Sequence, residues 1–175
     1  MGPTRQRGFS LLELMVVVTI IGIFVAVAVL SVDITGRDRE AEQEVFRLQS
    51  LLGLLREEAL LQGLDYGVLF HSDGYRFYYF DYDRREWLVR ADDNLLTDRV
   101  MPEGLQMTVT VDDRRLVLEP PPATDEGETG TPQVLILSTG EMTPFTFELA
   151  RDPTGRRYSL TAAFDGKVET AQIDQ

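Results

Sequence analysis

An apolar segment near the amino terminus is the strongest signal in the chain: residues 8–30 read GFSLLELMVVVTIIGIFVAVAVL. After its first residue the segment contains a single charged side chain, Glu13. At about 1.5 Å per residue, a helix over residues 9–30 is about 33 Å long, which matches the roughly 30 Å hydrocarbon core of a bilayer. The segment therefore predicts a transmembrane helix over residues 9–30.

Charges on either side of this segment predict its orientation. The basic leader, residues 1–8, contains Arg5 and Arg7 and no acidic residue, whereas Asp33 follows the apolar segment. Because Lys and Arg concentrate on cytoplasmic flanks, we expect a single-pass chain with its amino terminus in the cytoplasm. Everything after Leu30 is then expected on the far side of the membrane.

Two plainer interpretations of the apolar segment remain open. A cleaved secretory signal would use a small-x-small site such as Ala26-Val27-Ala28, and a plain anchor would let Glu13 reach the interface from near the helix end. A carboxylate near the bilayer interior costs about 2.5 to 3.5 kcal/mol on insertion scales. A disposable signal has no reason to tolerate that cost, and a plain anchor leaves the acid unexplained.

The residues around this acid resemble a known processing motif. Residues 8–14, GFSLLEL, are similar to the prepilin signature of type IV pilins and pseudopilins, with Ser10 where the family usually has Thr. The resemblance implies that a prepilin peptidase cuts between Gly8 and Phe9, removes the leader and N-methylates Phe9. It also implies that Glu13 is an assembly contact.

The spacing between the cleavage site and the acid has a physical rationale. A carboxylate surrounded by lipid is stabilised by a cation, and the amine of Phe9 exists only after cleavage. When helices stack side by side, this amine on one chain can neutralise Glu13 on its neighbour. Cleavage is therefore expected to permit assembly as well as to trim the chain.

Apolar residues continue at helical spacing beyond the membrane segment. They recur three and four residues apart along one face: Ala41, Val45, Leu48, Leu52, Leu55 and Ala59. Gly63 is a suitable stop for a helix. The pattern predicts one helix over residues 9–62, whose second half, in the segment 31–63, packs against the domain that follows.

From residue 64 onward the apolar period changes to two, which is typical of antiparallel strands. Strands are predicted at residues 66–70, 75–80, 87–89, 107–111, 116–118, 134–137, 145–147 and 158–164. The short turns between them leave no room for parallel crossovers. The predicted fold class is thus α+β, a long N-terminal helix packed on an antiparallel β domain at residues 64–175, with a flexible acidic loop at 119–132.

Composition disfavours several kinds of site. The chain of 175 residues contains 29 Asp and Glu against 17 Lys and Arg, so its net charge of −12 disfavours a nucleic-acid partner. It has no Cys, which excludes disulfides, thiol catalysis and Cys-ligated zinc. Its one His, His71, stands beside a turn and is expected to be solvated and not catalytic.

The remaining carboxylates are better explained by turns than by a metal. Asp81 and Asp83 precede a pair of arginines, as do Asp112 and Asp113, and neither pair has the spacing of a calcium loop. We therefore predict no catalytic residue, no metal site and no cofactor.

Two carboxy-terminal segments narrow the resemblance. STGEMTPFTF at residues 138–147 and DGKV at 165–168 are similar to the pattern of the GspH family, the minor pseudopilins of type II secretion systems. The resemblance implies a non-enzymatic structural subunit, anchored in the bacterial inner membrane with its globular domain in the periplasm. It would lie at or near the tip of the pseudopilus, which helps to export folded proteins across the outer membrane.

The same resemblance implies a set of partners. They are the other pseudopilins, both major and minor tip subunits, the prepilin peptidase, the inner-membrane assembly platform and, as a further candidate, the exported proteins. A FimT-like or FimU-like minor pilin of type IV pili is the alternative within this superfamily, although those proteins often carry a disulfide. A membrane-tethered periplasmic enzyme or binding protein is the alternative outside it.

Overall fold

The computed structural model describes residues 11–89, 96–121, 129–151 and 156–173, and for residues 27–38 it describes the backbone alone. The chain divides into two compact units, residues 1–37 and residues 38–175. The helix α1 (Leu11–Gln62) forms the described part of the first unit and the beginning of the second.

Helix α1 ends at the position that the sequence predicts. Gly63 has a φ of 68°, and its amide donates a hydrogen bond of 2.9 Å to the carbonyl oxygen of Ala59. This left-handed conformation favours glycine and satisfies a carbonyl of the last turn. The prediction of Gly63 as the stop is confirmed.

The described residues after the helix form ten strands in two antiparallel sheets. The strands are β1 (Tyr66–His71), β2 (Gly74–Asp81), β3 (Glu86–Val89), β4 (Arg99–Val100), β5 (Gln106–Val111), β6 (Arg114–Arg115), β7 (Val134–Ile136), β8 (Phe145–Ala150), β9 (Arg157–Ala162) and β10 (Val168–Ile173). The first sheet has the order β3-β2-β1-β7, with β4 paired to β2, and the second has the order β10-β9-β8-β5-β6. The predicted α+β class is confirmed.

The apolar stripe of α1 lies in the centre of the core. All six predicted residues of the stripe are buried, each at most 2% exposed. Both sheets contribute to the same cluster, since the ring of Phe70 from β1 lies 5.7 Å from that of Phe145 and 5.8 Å from that of Phe147, both in β8. Helix and sheets therefore share one core in the second unit.

The prediction of a strand at residues 116–118 is wrong. Asp112 and Asp113 are both left-handed, with φ of 48° and 61°, and they turn the chain into the short strand β6. The chain then leaves the second sheet, because the carbonyl oxygen of Glu119 accepts a 2.7 Å hydrogen bond from Ser72, beside the first sheet. Leu116 and Leu118 pack against the core during this crossing.

Three strands, β4, β6 and β10, were not predicted, and two were predicted too long, since β7 ends at Ile136, one residue before its predicted end. Neither β4 nor β10 has an apolar alternation in its sequence, since β10 reads VETAQI. The strand predicted at 158–164 ends at Ala162, and Phe164 is exposed in the turn that follows. Segment 122–128, most of the predicted acidic loop, lies outside the described residues, whereas Thr129 forms a bridge to Leu88.

The expectation that His71 is solvated is also wrong. The side chain is 2% exposed, with its Nε2 3.3 Å from Asp98 Oδ1. Its Nδ1 accepts the amide of Asp73, so Nε2 carries the proton and donates to Asp98. Arg76, also 2% exposed, donates from Nη2 to the other oxygen of Asp98 at 2.6 Å. The histidine is therefore part of a buried hydrogen-bond network.

Replacing a stripe residue tests the core. Leu52→Ala is expected to lower the free energy of unfolding by about 2 to 5 kcal/mol, because Leu52 is 0% exposed and its loss leaves a cavity. Leu61→Ala is the matched control, since Leu61 is 87% exposed on the same helix, and it should change stability by less than about 0.5 kcal/mol. Urea unfolding of the full chain in detergent, followed by fluorescence of Trp87, measures both. Equal losses would contradict the assignment of the stripe to the core.

Candidate functional site

The three site residues predicted from the sequence fall at the beginning of the chain. Gly8 and Phe9 lie outside the described residues. Glu13 lies in the first turn of α1 and is exposed.

Apolar side chains surround this acid on every side of the helix. Each residue from 11 to 26 is exposed, and the large apolar ones next to the acid are Leu11 at 77%, Leu12 at 72%, Leu14 at 58% and Met15 at 64%. The hydroxyl of Thr19 donates to the carbonyl oxygen of Met15 at 2.8 Å, which satisfies it within the helix. Such a surface is stable only when lipid or other apolar chains cover it.

Among the described residues, the structure contains no helix both long and apolar enough to cross a bilayer.

The two carboxy-terminal motif segments meet at the end of α1. Arg56 donates from Nε to the carbonyl oxygen of Gly140 at 2.9 Å and from Nη2 to that of Asp165 at 3.1 Å. The amide of Met142 donates to the carbonyl oxygen of Phe164 at 3.0 Å. One guanidinium on the helix thus holds both motif turns. The sequence gives no signal for this, because Arg56 reads only as a polar-face residue.

Glycine is required at the closest approach of these turns. Gly166 has a φ of 77°, and a Cβ there would lie 2.5 Å from the carbonyl oxygen of Gly140 and 2.3 Å from Nε of Arg56. Gly140 has a φ of 88°, and a Cβ on it would lie 3.1 Å from Leu60. The residue pattern that resembles the GspH family therefore builds a joint between helix and sheets.

Further polar contacts attach the second half of α1 to the sheets. Glu44, 7% exposed, forms an ion pair with Arg99, which donates from both Nε and Nη2. Arg151 forms a second ion pair with Glu40. Gln49 donates from Nε2 to the carbonyl oxygen of Val168 in β10 at 3.1 Å.

A buried tyrosine lies beside the first of these ion pairs. Burial, and then the nearby negative charge of Glu44, raise the pKa of Tyr75 from 10.0 to about 12. Its hydroxyl makes no hydrogen bond of normal geometry with a residue that the structure describes, and the nearby Arg47 and Arg99 lower the pKa only in part. The phenol is therefore held in its neutral form.

The carboxylates that the sequence assigns to turns do shape turns. Asp81 accepts hydrogen bonds on Oδ1 from the amides of Asp83 and Arg84, both at 2.9 Å. The Asp112–Asp113 turn borders a depression of about 350 Å³ on the second sheet. In the described parts of the chain, no three His, Asp or Glu side chains are grouped closely enough to hold a metal ion.

Comparison with known proteins covers both units. A model of the prokaryotic N-terminal methylation motif matches residues 3–29, and a model of the type II transport protein GspH matches residues 44–166. The chain is 40% identical over 174 residues to type II secretion system protein H of Pseudomonas aeruginosa, which covers 95% of this chain and 98% of the relative. It is 27% identical over 176 residues to type II secretion system protein H of Aeromonas hydrophila, covering 98% of this chain and 96% of the relative.

A solved structure agrees with this relationship. The minor pseudopilin EpsH from the type 2 secretion system of Vibrio cholerae superposes with a TM-score of 0.59 at 27% identity, covering 75% of this chain and 96% of that chain. A methylation motif, an N-terminal helix and antiparallel sheets together define the class of pilins and pseudopilins. More narrowly, the chain belongs to the GspH family of the type II secretion system. These comparisons favour a type II secretion pseudopilin over the FimT-like minor pilin.

A pair of glycine substitutions tests the joint around Arg56. Gly166→Ala is expected to lower the free energy of unfolding by roughly 1 to 3 kcal/mol, because the new Cβ meets backbone and the φ is left-handed. Gly53→Ala, in α1 with no atom within 4 Å of its Cβ position, should instead stabilise by about 0.5 to 1 kcal/mol. Urea unfolding of both variants measures the difference. If Gly166→Ala left the free energy of unfolding unchanged, the two turns would not be closely joined.

The buried phenol predicts a dependence of stability on alkaline pH. Because the folded pKa of about 12 exceeds the ordinary value of 10.0, the unfolded chain loses its proton first. Stability should fall as pH rises from about 10 to about 12, by roughly 2 to 3 kcal/mol at most. Tyr75→Phe should be close to wild type at pH 7 and lack this part of the slope. An unchanged slope in the variant, measured by urea unfolding across this range, would refute the assignment.

Proposed function

We propose that this pseudopilin is processed at its amino terminus, anchored in the inner membrane and assembled at or near the tip of the periplasmic pseudopilus. The observation that carries the proposal is a single acid, Glu13, in the helical segment 11–26, whose other large side chains are apolar and exposed on every side. Neither an ordinary soluble helix nor a simple lipid anchor requires that combination.

Processing is the first step of the proposal. The prepilin peptidase cuts between Gly8 and Phe9, removes residues 1–8 and methylates the new amine of Phe9. The match to the methylation motif over residues 3–29 supports this step. The mature chain then begins with the charged amine that assembly uses.

Membrane anchoring is the second step. Residues 9–30 cross the inner membrane once, with the basic leader on the cytoplasmic side and the sheet domain in the periplasm. The support is the apolar sequence of this segment, whose single acid is Glu13, together with the arginines before it and Asp33 after it.

Assembly is the third step. The carboxylate of Glu13 pairs with the amine of Phe9 on an adjacent pseudopilin, so that neither charge stays alone in lipid. The partners are the other major and minor pseudopilins, the inner-membrane assembly platform that draws the subunit into the fibre, and the exported proteins that the fibre moves. The role is structural and involves no cofactor and no catalysis by this chain.

The mature amino terminus tests the processing step. Mass spectrometry of the chain purified from membranes should find N-methyl-Phe9 as the first residue. A chain that still begins at Met1 would indicate a plain anchor, and one that begins at Val29 would indicate a cleaved secretory signal. Either of these results contradicts the proposal.

A substitution that removes the charge of Glu13 but keeps its shape tests the assembly step. Glu13→Gln should leave membrane insertion and cleavage intact and reduce co-purification with other pseudopilins by about tenfold or more, because the amine loses its counter-charge. Glu57→Gln, which removes an exposed acid of α1 in the second unit, is the matched control and should have no effect. Normal incorporation of the Glu13→Gln chain, measured by affinity capture from secreting cells, would exclude the proposed ion pair.

A further inference from the structure

Strand β10 is an exposed edge of the second sheet. It pairs with β9 along all six residues, and in the part of the chain that the structure describes no strand pairs with its other side. The edges of the first sheet are covered: Leu88 in β3 bridges Thr129, and Leu135 in β7 accepts the amide of Thr143. Natural proteins usually protect a long edge, because its amides and carbonyls invite another strand.

The hydrogen-bond register shows which groups face outward from this edge. The turn before β10 is closed by a 2.9 Å bond from the amide of Ala163 to the carbonyl oxygen of Lys167. Bonded pairs alternate along an antiparallel ladder, so the backbone of Val168 and Thr170 points away from β9. The bond from Gln49 on α1 to the carbonyl oxygen of Val168 lies on this outer side. Helix α1 therefore borders the open edge.

A groove of about 90 Å³ separates the helix from this edge. Its helix side consists of Glu42, Val45 and Phe46, and its sheet side includes Thr170 and Ala171. The ring of Phe46 is apolar and 49% exposed, so it offers contact area to a chain placed beside β10. An edge strand next to a helix is the arrangement in which an extended peptide adds to a sheet and places alternate side chains in the groove.

The charge of the groove selects the chemistry of the occupant. The carboxylate of Glu42 is half-buried and makes no ion pair with any residue that the structure describes. The chain as a whole carries a net charge of −12. A segment with Lys or Arg opposite Glu42 would neutralise this carboxylate, and an apolar side chain of the same segment would cover the ring of Phe46.

We propose that this groove accepts an extended, basic segment of a neighbouring pseudopilin, which adds as a strand to β10. The inference rests on the proposed function, since it assumes that the chain assembles with other pseudopilins. It assigns to the globular unit a contact that is separate from Glu13. Strand addition supplies backbone hydrogen bonds to Thr170, while the groove supplies selectivity.

A proline at the outward position tests strand addition. Thr170→Pro removes an amide that does not bond to β9, and an edge strand tolerates proline at such a position. The full chain should keep its fold, cleavage and membrane insertion but lose co-purification with the partner pseudopilin by about tenfold or more, because a buried carbonyl of the added strand loses its donor. Thr170→Val keeps the amide and should behave as wild type. Undiminished co-purification of a folded Thr170→Pro chain would overturn the proposal.

A second measurement does not depend on the folding of the proline variant. A photo-crosslinking p-benzoylphenylalanine is placed at Phe46 in the full chain, with the same group at Leu61 as control, and the linked peptide is identified by mass spectrometry after irradiation of secreting cells. We expect an extended segment with Lys or Arg from another pseudopilin at Phe46 and not at Leu61. A linkage to a second copy of this chain, to an exported protein or to no protein would overturn the proposal.

These results are distinct from a failure of the proposed function. If Glu13→Gln co-purifies normally, the assembly mechanism of the proposed function fails. If Glu13→Gln is lost from the assembly while Thr170→Pro is retained, the assembly mechanism stands and only strand addition at β10 is excluded.

Discussion

Burial of one face of α1 against both sheets is the constraint on which the second unit depends. The stripe that includes Leu48, Leu52 and Leu55 lies in the same cluster as residues of both sheets. Several strands of the two sheets have only two to four residues. Without the apolar face of the helix, such short strands could not bury enough apolar surface to form a stable core. The helix therefore belongs to the globular unit as a core element and does not serve as a simple connector.

Polar contacts fix the position of the helix on the sheets, in addition to the apolar burial. The buried carboxylate of Glu44 is matched by Arg99, and Arg56 binds the carbonyl oxygens of Gly140 and Asp165. The buried charge of Glu44 costs desolvation energy, so its pairing with Arg99 contributes only modestly to stability, whereas removal of Arg99 alone would be costly. These polar contacts fix the position of the helix along the sheets. The apolar stripe alone would specify this position weakly, because apolar contacts are not directional.

The sequence predicts the elements whose apolar period is regular and misses those held by distant partners. The three-and-four spacing located α1 and six of its core residues, and alternation located β1, β2 and β8. Strand β10 was missed because its pairing with β9, and not its own composition, makes it a strand. His71 was misjudged because its acceptor, Asp98, lies 27 residues away. Of the candidate site, the sequence supplies the motif around Glu13, whereas the counter-charge that we propose for that acid would lie on another chain.

The two units use the same helix in opposite ways. In the second unit, one face of α1 finds its apolar and polar partners within the chain. In the first, residues such as Leu11 and Phe24 are exposed, and Glu13 is the one acid of the exposed segment 11–26. A helix that is apolar all round gains little from packing in lipid alone, so a specific charge is an efficient way to select neighbours there. Substitutions in the two parts of α1 are therefore expected to act separately, on stability in the second unit and on the proposed assembly contact at Glu13 in the first.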